Sequence, residues 1–175
     1  DMGICQIPVI LLTAKNSPED RVECYKAGAE GYISKPFEMK VLRARIESLL
    51  TRKRKRQEEF LTAPQTDTDV LEIAPVDKEF LDCLIGIIQR DFTAVNLDMI
   101  TQEMALSKSS LYRKMKQLTG LSTSDFINNI RMKHAYELLV KGNTSVEEVA
   151  YQSGFSDRKY FSTCFKRQFG IAPSV

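Results

Sequence analysis

The sequence has no tryptophan, a single histidine and no two cysteines closer than 19 positions. Each scarcity removes a class of chemistry. Cys5, Cys24, Cys83 and Cys164 supply no C-x-x-C pair, the spacing that finger-type zinc sites and thiol-exchange centres need. No metal and no bound cofactor is therefore expected, and four reduced, mostly buried thiols in a cytoplasm fit the spacing better. Cys-His or Ser-His-Asp catalysis would have to rest on His134, which lies in a helix-patterned segment with no nucleophile signal beside it. His134 reads as a surface residue and the chain as a non-enzyme. The longest unbroken apolar run, residues 9–12, is far short of the roughly 20 residues that cross a bilayer, and no charged-then-apolar leader opens the sequence. No membrane contact by this chain is expected.

What is present is a 175-residue chain, 43% hydrophobic and 27% charged, which allows one globular domain or two small ones. Its net charge of +2 conceals an uneven distribution. Residues 1–50 carry seven bases and seven acids, and residues 52–56 are five bases in a row. Residues 77–107 hold six acids against two bases, whereas residues 108–175 hold eleven bases against five acids. A polyanion should therefore dock on the C-terminal third.

The first fifty residues alternate strand and helix signals. Pro8, Val9, Ile10, Leu11 and Leu12 read as a short strand buried on both faces. Ser17 followed by Pro18, Glu19 and Asp20 is a helix start, and the apolar pattern carries the helix to Gly28. Residues 31–34 make a second strand ended by Pro36, and residues 38–50 place apolar side chains at helical spacing. The stretch 51–76, with its basic run and then Thr, Pro, Gln and scattered acids, reads as a helix end followed by a linker.

Leu12-Thr13-Ala14-Lys15, then Ala27-Gly28-Ala29-Glu30-Gly31-Tyr32-Ile33-Ser34-Lys35-Pro36-Phe37, resembles the C-terminal half of a response-regulator receiver domain. The resemblance implies that the Thr13 hydroxyl contacts a phosphoryl group, that Lys35 pairs with it, that the Lys35–Pro36 bond is cis, and that Tyr32 reports the activation state. The magnesium-binding acids and the phosphoacceptor aspartate of that family belong to earlier strands, and Asp1 precedes the strand at Val9, so phosphoryl transfer is not expected. Residues 1–51 are thus expected to be an incomplete, doubly wound α/β fragment. Two strands and two helices are little sheet for independent stability. The apolar edge at residues 9–12 should either pair with a second copy, making a homodimer, or leave the segment poorly ordered, with the dimer preferred.

From Asp77 onward strand periodicity is gone. Asp77 is placed to cap a helix with Phe80, Leu81, Leu84, Ile87 and Ile88 on its buried stripe. Helix patterns follow at residues 97–104, 109–118, 124–140, 146–152 and 158–169, joined by tight turns. They contain a repeat. Ile100, Leu106-Ser107, Leu111, Met115-Lys116 and Gly120 return as Val149, Phe155-Ser156, Phe161, Phe165-Lys166 and Gly170, at an offset of 49 before the turn and 50 after it. Each copy reads as helix, tight turn, capping serine, helix and terminating glycine, with Gly154 at the turn of the second copy and Ala105 at that of the first. The fold class is mainly α: two helix-turn-helix units, 97–120 and 146–170, joined by a long helix and preceded by the α/β fragment.

Residues 77–175 resemble the AraC/XylS DNA-binding domain, most specifically through Ala150-x-x-x-Gly154-Phe155, Tyr160-Phe161-x-x-x-Phe165-Lys166 and Gly170-x-x-Pro173. With half a receiver upstream, the whole resembles the C-terminal end of a hybrid two-component regulator. That implies duplex DNA as partner, a histidine kinase or phosphorelay partner upstream in the parent protein, and a cytoplasmic location in a parent that can be anchored in the inner membrane.

Helix geometry then divides the faces. With Leu111, Met115 and Leu118 inward, Lys108, Ser109, Tyr112, Arg113 and Lys116 turn outward. With Phe161 and Phe165 inward, Arg158, Lys159, Ser162, Thr163 and Lys166 turn outward. Arg113 and Arg158 suit guanine, because a guanidinium matches its O6 and N7 acceptors. The resemblance maps base contacts onto Ser109, Tyr112, Arg113, Arg158, Lys159 and Thr163, while Lys116 and Lys166 suit phosphate. Phe155, Phe161, Phe165 and Phe169 read as core. The alternative function is a protein interaction or dimerisation module built on the receiver fragment.

Overall fold

A computed structural model of the chain describes residues 8–14, 17–142 and 144–173, so Asp1, Cys5 and Lys15 lie outside the described residues. The chain divides into two compact units, residues 1–56 and 57–175.

In the first unit, strand β1 (Ile10–Thr13) pairs in parallel with β2 (Gly31–Ser34), Ile10 opposite Gly31 and Thr13 opposite Ser34. Helix α1 (Pro18–Lys26) connects them. It starts as its sequence dictates: the Ser17 hydroxyl accepts from the Asp20 amide at 3.1 Å, Pro18 needs no amide partner, and Glu19 and Asp20 face the positive end of the helix dipole. Cys24, Ile33 and Leu49 are buried. The expected burial of the first strand on both faces is not met, since Val9 is 47% and Leu11 43% exposed. Two strands offer one ladder and little area to cover, so apolar side chains remain open on β1 and α1.

Helix α2 (Met39–Thr62) corrects the reading of residues 51–76 as helix end and linker. The basic run lies inside this helix, where lysine and arginine are good helix formers, and Phe60 near its end is 1% exposed within the second unit. A 3-10 turn, Thr68–Leu71, then buries Leu71 beside it. Two apolar anchors thus draw in a segment whose charge and proline content read as solvated.

Helix α3 (Pro75–Arg90) also starts earlier than expected. Pro75 takes the first position after Ala74, and Asp77 is not the cap. Its buried carboxylate instead meets the Lys114 ammonium at 2.9 Å. The repeat is present as α4 (Leu97–Glu103) with α5 (Lys108–Thr119), and α7 (Val146–Gln152) with α8 (Arg158–Phe169). Ser107 caps α5, but Asp157 rather than Ser156 caps α8, accepting from the Tyr160 amide at 2.8 Å. The extra residue in the second turn moves the aspartate into the cap position. Ala105 and Gly154 both take left-handed backbone, at φ 51° and 80°.

Helix α6 (Thr123–Lys141) joins the copies and serves two cores. Phe126, Ile127 and Ile130 pack with Phe60, Leu84, Ile100, Leu111 and Met115. Met132 and Ala135 pack with Val149, Phe155, Phe161 and Phe165. Phe169 is only partly buried, its ring 4.8 Å from that of Phe165.

Candidate nucleic-acid interface

The second helix of each copy is held by one apolar face and shows the other to solvent. Leu111, Met115 and Leu118 anchor α5, and Lys108, Ser109, Tyr112, Arg113 and Lys116 are all exposed on it. Phe161 and Phe165 anchor α8, with Arg158, Lys159, Thr163 and Lys166 exposed and Ser162 half-buried. The structure therefore brings the ten expected residues onto two helix faces, five on each.

Their local bonds decide what each can still offer. Ser162 Oγ donates to the Arg158 carbonyl and Thr163 Oγ1 to that of Lys159, both at 2.9 Å. Their protons are engaged inside the helix, which leaves oxygen lone pairs as acceptors for an amino group on a base edge. Ser109 Oγ lies 3.1 Å from Ser107 Oγ, the cap of its own helix. Lys108 pairs with Asp98, but both side chains are largely exposed, so the pair is weak and a phosphate competes readily. Arg158, Ser162, Thr163 and Lys166 line an open groove of about 270 Å³ with Val146, Ala172 and Pro173.

Behind these faces lie positioning residues that sequence reasoning missed. Lys114 points inward from α5 to Asp77, its ammonium 4.5 Å from the centre of the Phe80 ring. Arg131 donates from Nε to the Phe92 carbonyl at 3.0 Å and from Nη2 to that of Val95 at 3.3 Å. Burial lowers the pKa of its guanidinium. At Gly154 an added Cβ would stand 2.1 Å from the same Phe92 oxygen, so only glycine lets the second turn approach that loop. The Phe92 ring stacks on His134 with centroids 4.0 Å apart, which corrects the placing of His134 at the surface. The pattern held one clue. Phe126, Ile130 and Lys133 fall on one stripe of α6, and Lys133 is indeed 1% exposed.

In the first unit, Thr13 ends β1 opposite Ser34, and the Lys35 amide donates to the Thr13 carbonyl at 2.7 Å. Lys35 is exposed, the Lys35–Pro36 bond is cis, and the Arg21 guanidinium lies 5.5 Å from the Tyr32 ring centre. Thr13 and Lys35 thus stand at the carboxyl ends of neighbouring parallel strands, where such sheets bind ligands. Among the described residues no group of three or more His, Cys, Asp or Glu side chains is arranged to hold a metal.

The chain matches the helix-turn-helix domain family over residues 100–175 and the response regulator receiver domain family over residues 4–47. It is similar to histidine kinase P4 of Formosa agariphila, 32% identical over 176 residues that take in 99% of this chain and 13% of that protein. It is also similar to the HTH-type transcriptional activator RhaS of Escherichia coli, 37% identical over 94 residues, 53% of this chain and 34% of that one. The chain thus spans about an eighth and a third of the length of these two relatives. Among solved structures, that of ToxT from Vibrio cholerae shares the fold with a TM-score of 0.51 at 20% identity, over 94% of this chain and 57% of the other. By its motifs and by these matches the chain resembles the C-terminal part of a response-regulator receiver domain followed by an AraC-type helix-turn-helix domain, the first matched over residues 4–47 and the second over residues 100–175.

Proposed function

We propose that this chain is the DNA-reading output end of a two-component regulator, acting on transcription by sequence-specific binding of duplex DNA. The observation that carries the reading is the pair of exposed, basic and polar second helices, each seated by its own apolar face on a core that shares α6. α5 and α8 enter successive major-groove segments on one side of the duplex, about 34 Å apart. Arg113 and Arg158 read guanine. Ser109, Tyr112, Lys159, Ser162 and Thr163 complete the base-facing set, while Lys108, Lys116 and Lys166 hold phosphates. The chain itself catalyses nothing. Its parent supplies a histidine kinase or phosphorelay partner, consistent with the name of the Formosa relative. The parent can be anchored in the inner membrane with this part in the cytoplasm, and no helix among the described residues is long and apolar enough to cross a membrane.

Selection of bound sites from random duplex DNA, followed by footprinting, tests this. Two protected major-groove segments on one face are expected. Protection of one segment, with α8 variants behaving as wild type, would remove the two-helix reading.

A homodimer through the first unit is the companion reading, motivated by the open apolar side chains of Val9, Leu11 and Leu12. Light scattering should then give twice the chain mass at micromolar concentration. One chain mass across a wide concentration range would rule the dimer out.

A further inference from the structure

The last turns of α2 meet both reading helices. The Gln57 amide donates to the Leu118 carbonyl at the end of α5, at 3.0 Å, and its Oε1 leaves 3.2 Å for a Cβ at Gly120. From the other copy, Gln168 on α8 donates to the Leu61 carbonyl at 3.4 Å. Between them α6 contributes two donors. Asn129 reaches the same Leu61 carbonyl at 3.0 Å, and Lys133 reaches those of Phe60 and of Gln65, the latter at 2.9 Å. The Phe60 ring lies under the Lys133 ammonium at 4.1 Å and stacks on Phe126.

A helix end leaves carbonyls without partners in the helix, and side chains or water must satisfy them. Here the donors to the end of α2 come from two helices, α6 and α8, while Gln57 of α2 in turn satisfies a carbonyl at the end of α5. Burying a lysine is expensive unless its ammonium is bonded, and a hydrophobic residue would fill the same volume at less risk. Lys133 recovers its bonds only when the end of α2 is seated, so the seat is specific to that segment. The two cores share α6 and touch where the Gly154 turn approaches the Phe92 loop, contacts that lie away from the C-terminal ends of α5 and α8. The end of α2 ties the C-terminal ends of both to a common point.

We propose that residues 57–65 are a spacing clamp, in which Gln57, Asn129, Lys133 and Gln168 are positioning residues that fix the separation of the two reading helices. Rigid linkage of two binding elements raises joint affinity only at the spacing that the linkage permits. The clamp therefore sets which separation of DNA segments is accepted. This rests on the two-helix reading above.

The test uses the whole chain with Gln57→Ala and Gln168→Ala combined, residues that touch no base in the reading above. Affinity is measured for a two-segment site, for the same site lengthened or shortened by one base pair, and for each segment alone. Wild type should lose on the order of tenfold on a spacing change. The double variant should lose less than about threefold, with single-segment affinities and the melting temperature close to wild type. Lys133→Met should relax spacing in the same way and Lys133→Arg restore it. If the double variant discriminates spacing as wild type does, the clamp is overturned. If wild type itself ignores spacing and protects one segment, the two-helix reading falls first, and the clamp with it.

Discussion

At the scale of single residues, the two turns make a controlled comparison. Ala105 and Gly154 share left-handed backbone, and at the second an added Cβ would stand 2.1 Å from the Phe92 oxygen. A side chain in that conformation costs roughly 1 kcal/mol. Ala105→Gly should therefore raise stability by about 0.5–1 kcal/mol in urea unfolding, whereas Gly154→Ala should lower it by more than about 2 kcal/mol, because strain and collision with the Phe92 carbonyl add. On the DNA face, Arg113→Ala or Arg158→Ala should weaken binding by about 1–3 kcal/mol and relax preference at one base pair. Lys166→Ala should weaken all sequences alike and reduce the salt slope by about one, as anisotropy titrations would resolve. His134 carries a pH signature. Burial first, and then Lys141, hold its pKa below the usual 6.5, against the opposing pull of Glu137. The unfolded chain takes up the proton at higher pH than the folded one, so the contribution of the neutral ring is complete above 6.5 and is lost as pH falls through the folded value. Thermal melts between pH 7 and 5 should decline less for His134→Phe, which keeps the stack on Phe92 and does not titrate.

At the scale of elements, α5 is fixed from below by the pair of Lys114 and Asp77. Asp77→Ala removes a charge-assisted bond and leaves an ammonium partly buried, so a loss of about 1–3 kcal/mol is expected in denaturant unfolding. Binding to the first DNA segment should fall with it. This pair also shows where the sequence was legible and where it was not. Ser17, Ser107 and Gly120 announce their helix ends, because caps are local chemistry that one residue type satisfies. Leu111, Met115, Phe161 and Phe165 announce the buried faces by spacing alone, and the exposed faces follow by subtraction. Asp77 looked like a cap because aspartate before an apolar stripe usually is one, and only a lysine from a distant helix reveals its partner. The end of α2 was hidden for the same reason. Five bases in a row read as solvated, while the seat for Phe60 and the donors for its carbonyls come from residues 66 to 107 positions further along. Charge and periodicity report what a segment does alone, and long-range pairing of polar groups lies outside their reach.

At the scale of the whole molecule, a local surplus of six positive charges in residues 108–175 is carried by one end of the chain. If about six phosphates are engaged, raising salt from 50 to 200 mM should weaken DNA binding on the order of a thousandfold in a fluorescence titration. Binding that ignores salt would show that the basic face is not where DNA lies. The repeat itself has a consequence for the geometry of control. Its copies follow one another in the same chain order, and they differ by one residue in the turn, by serine against aspartate at the cap, and at the base-facing positions, where Ser109, Tyr112 and Arg113 answer to Lys159, Ser162 and Thr163. The two copies thus present unlike faces to the duplex. A single chain on DNA therefore has a head and a tail, and a site read by it has a left and a right. Turning that site around beside a promoter presents the opposite flank of the protein to its neighbours, so the orientation of the site carries information as well as its sequence.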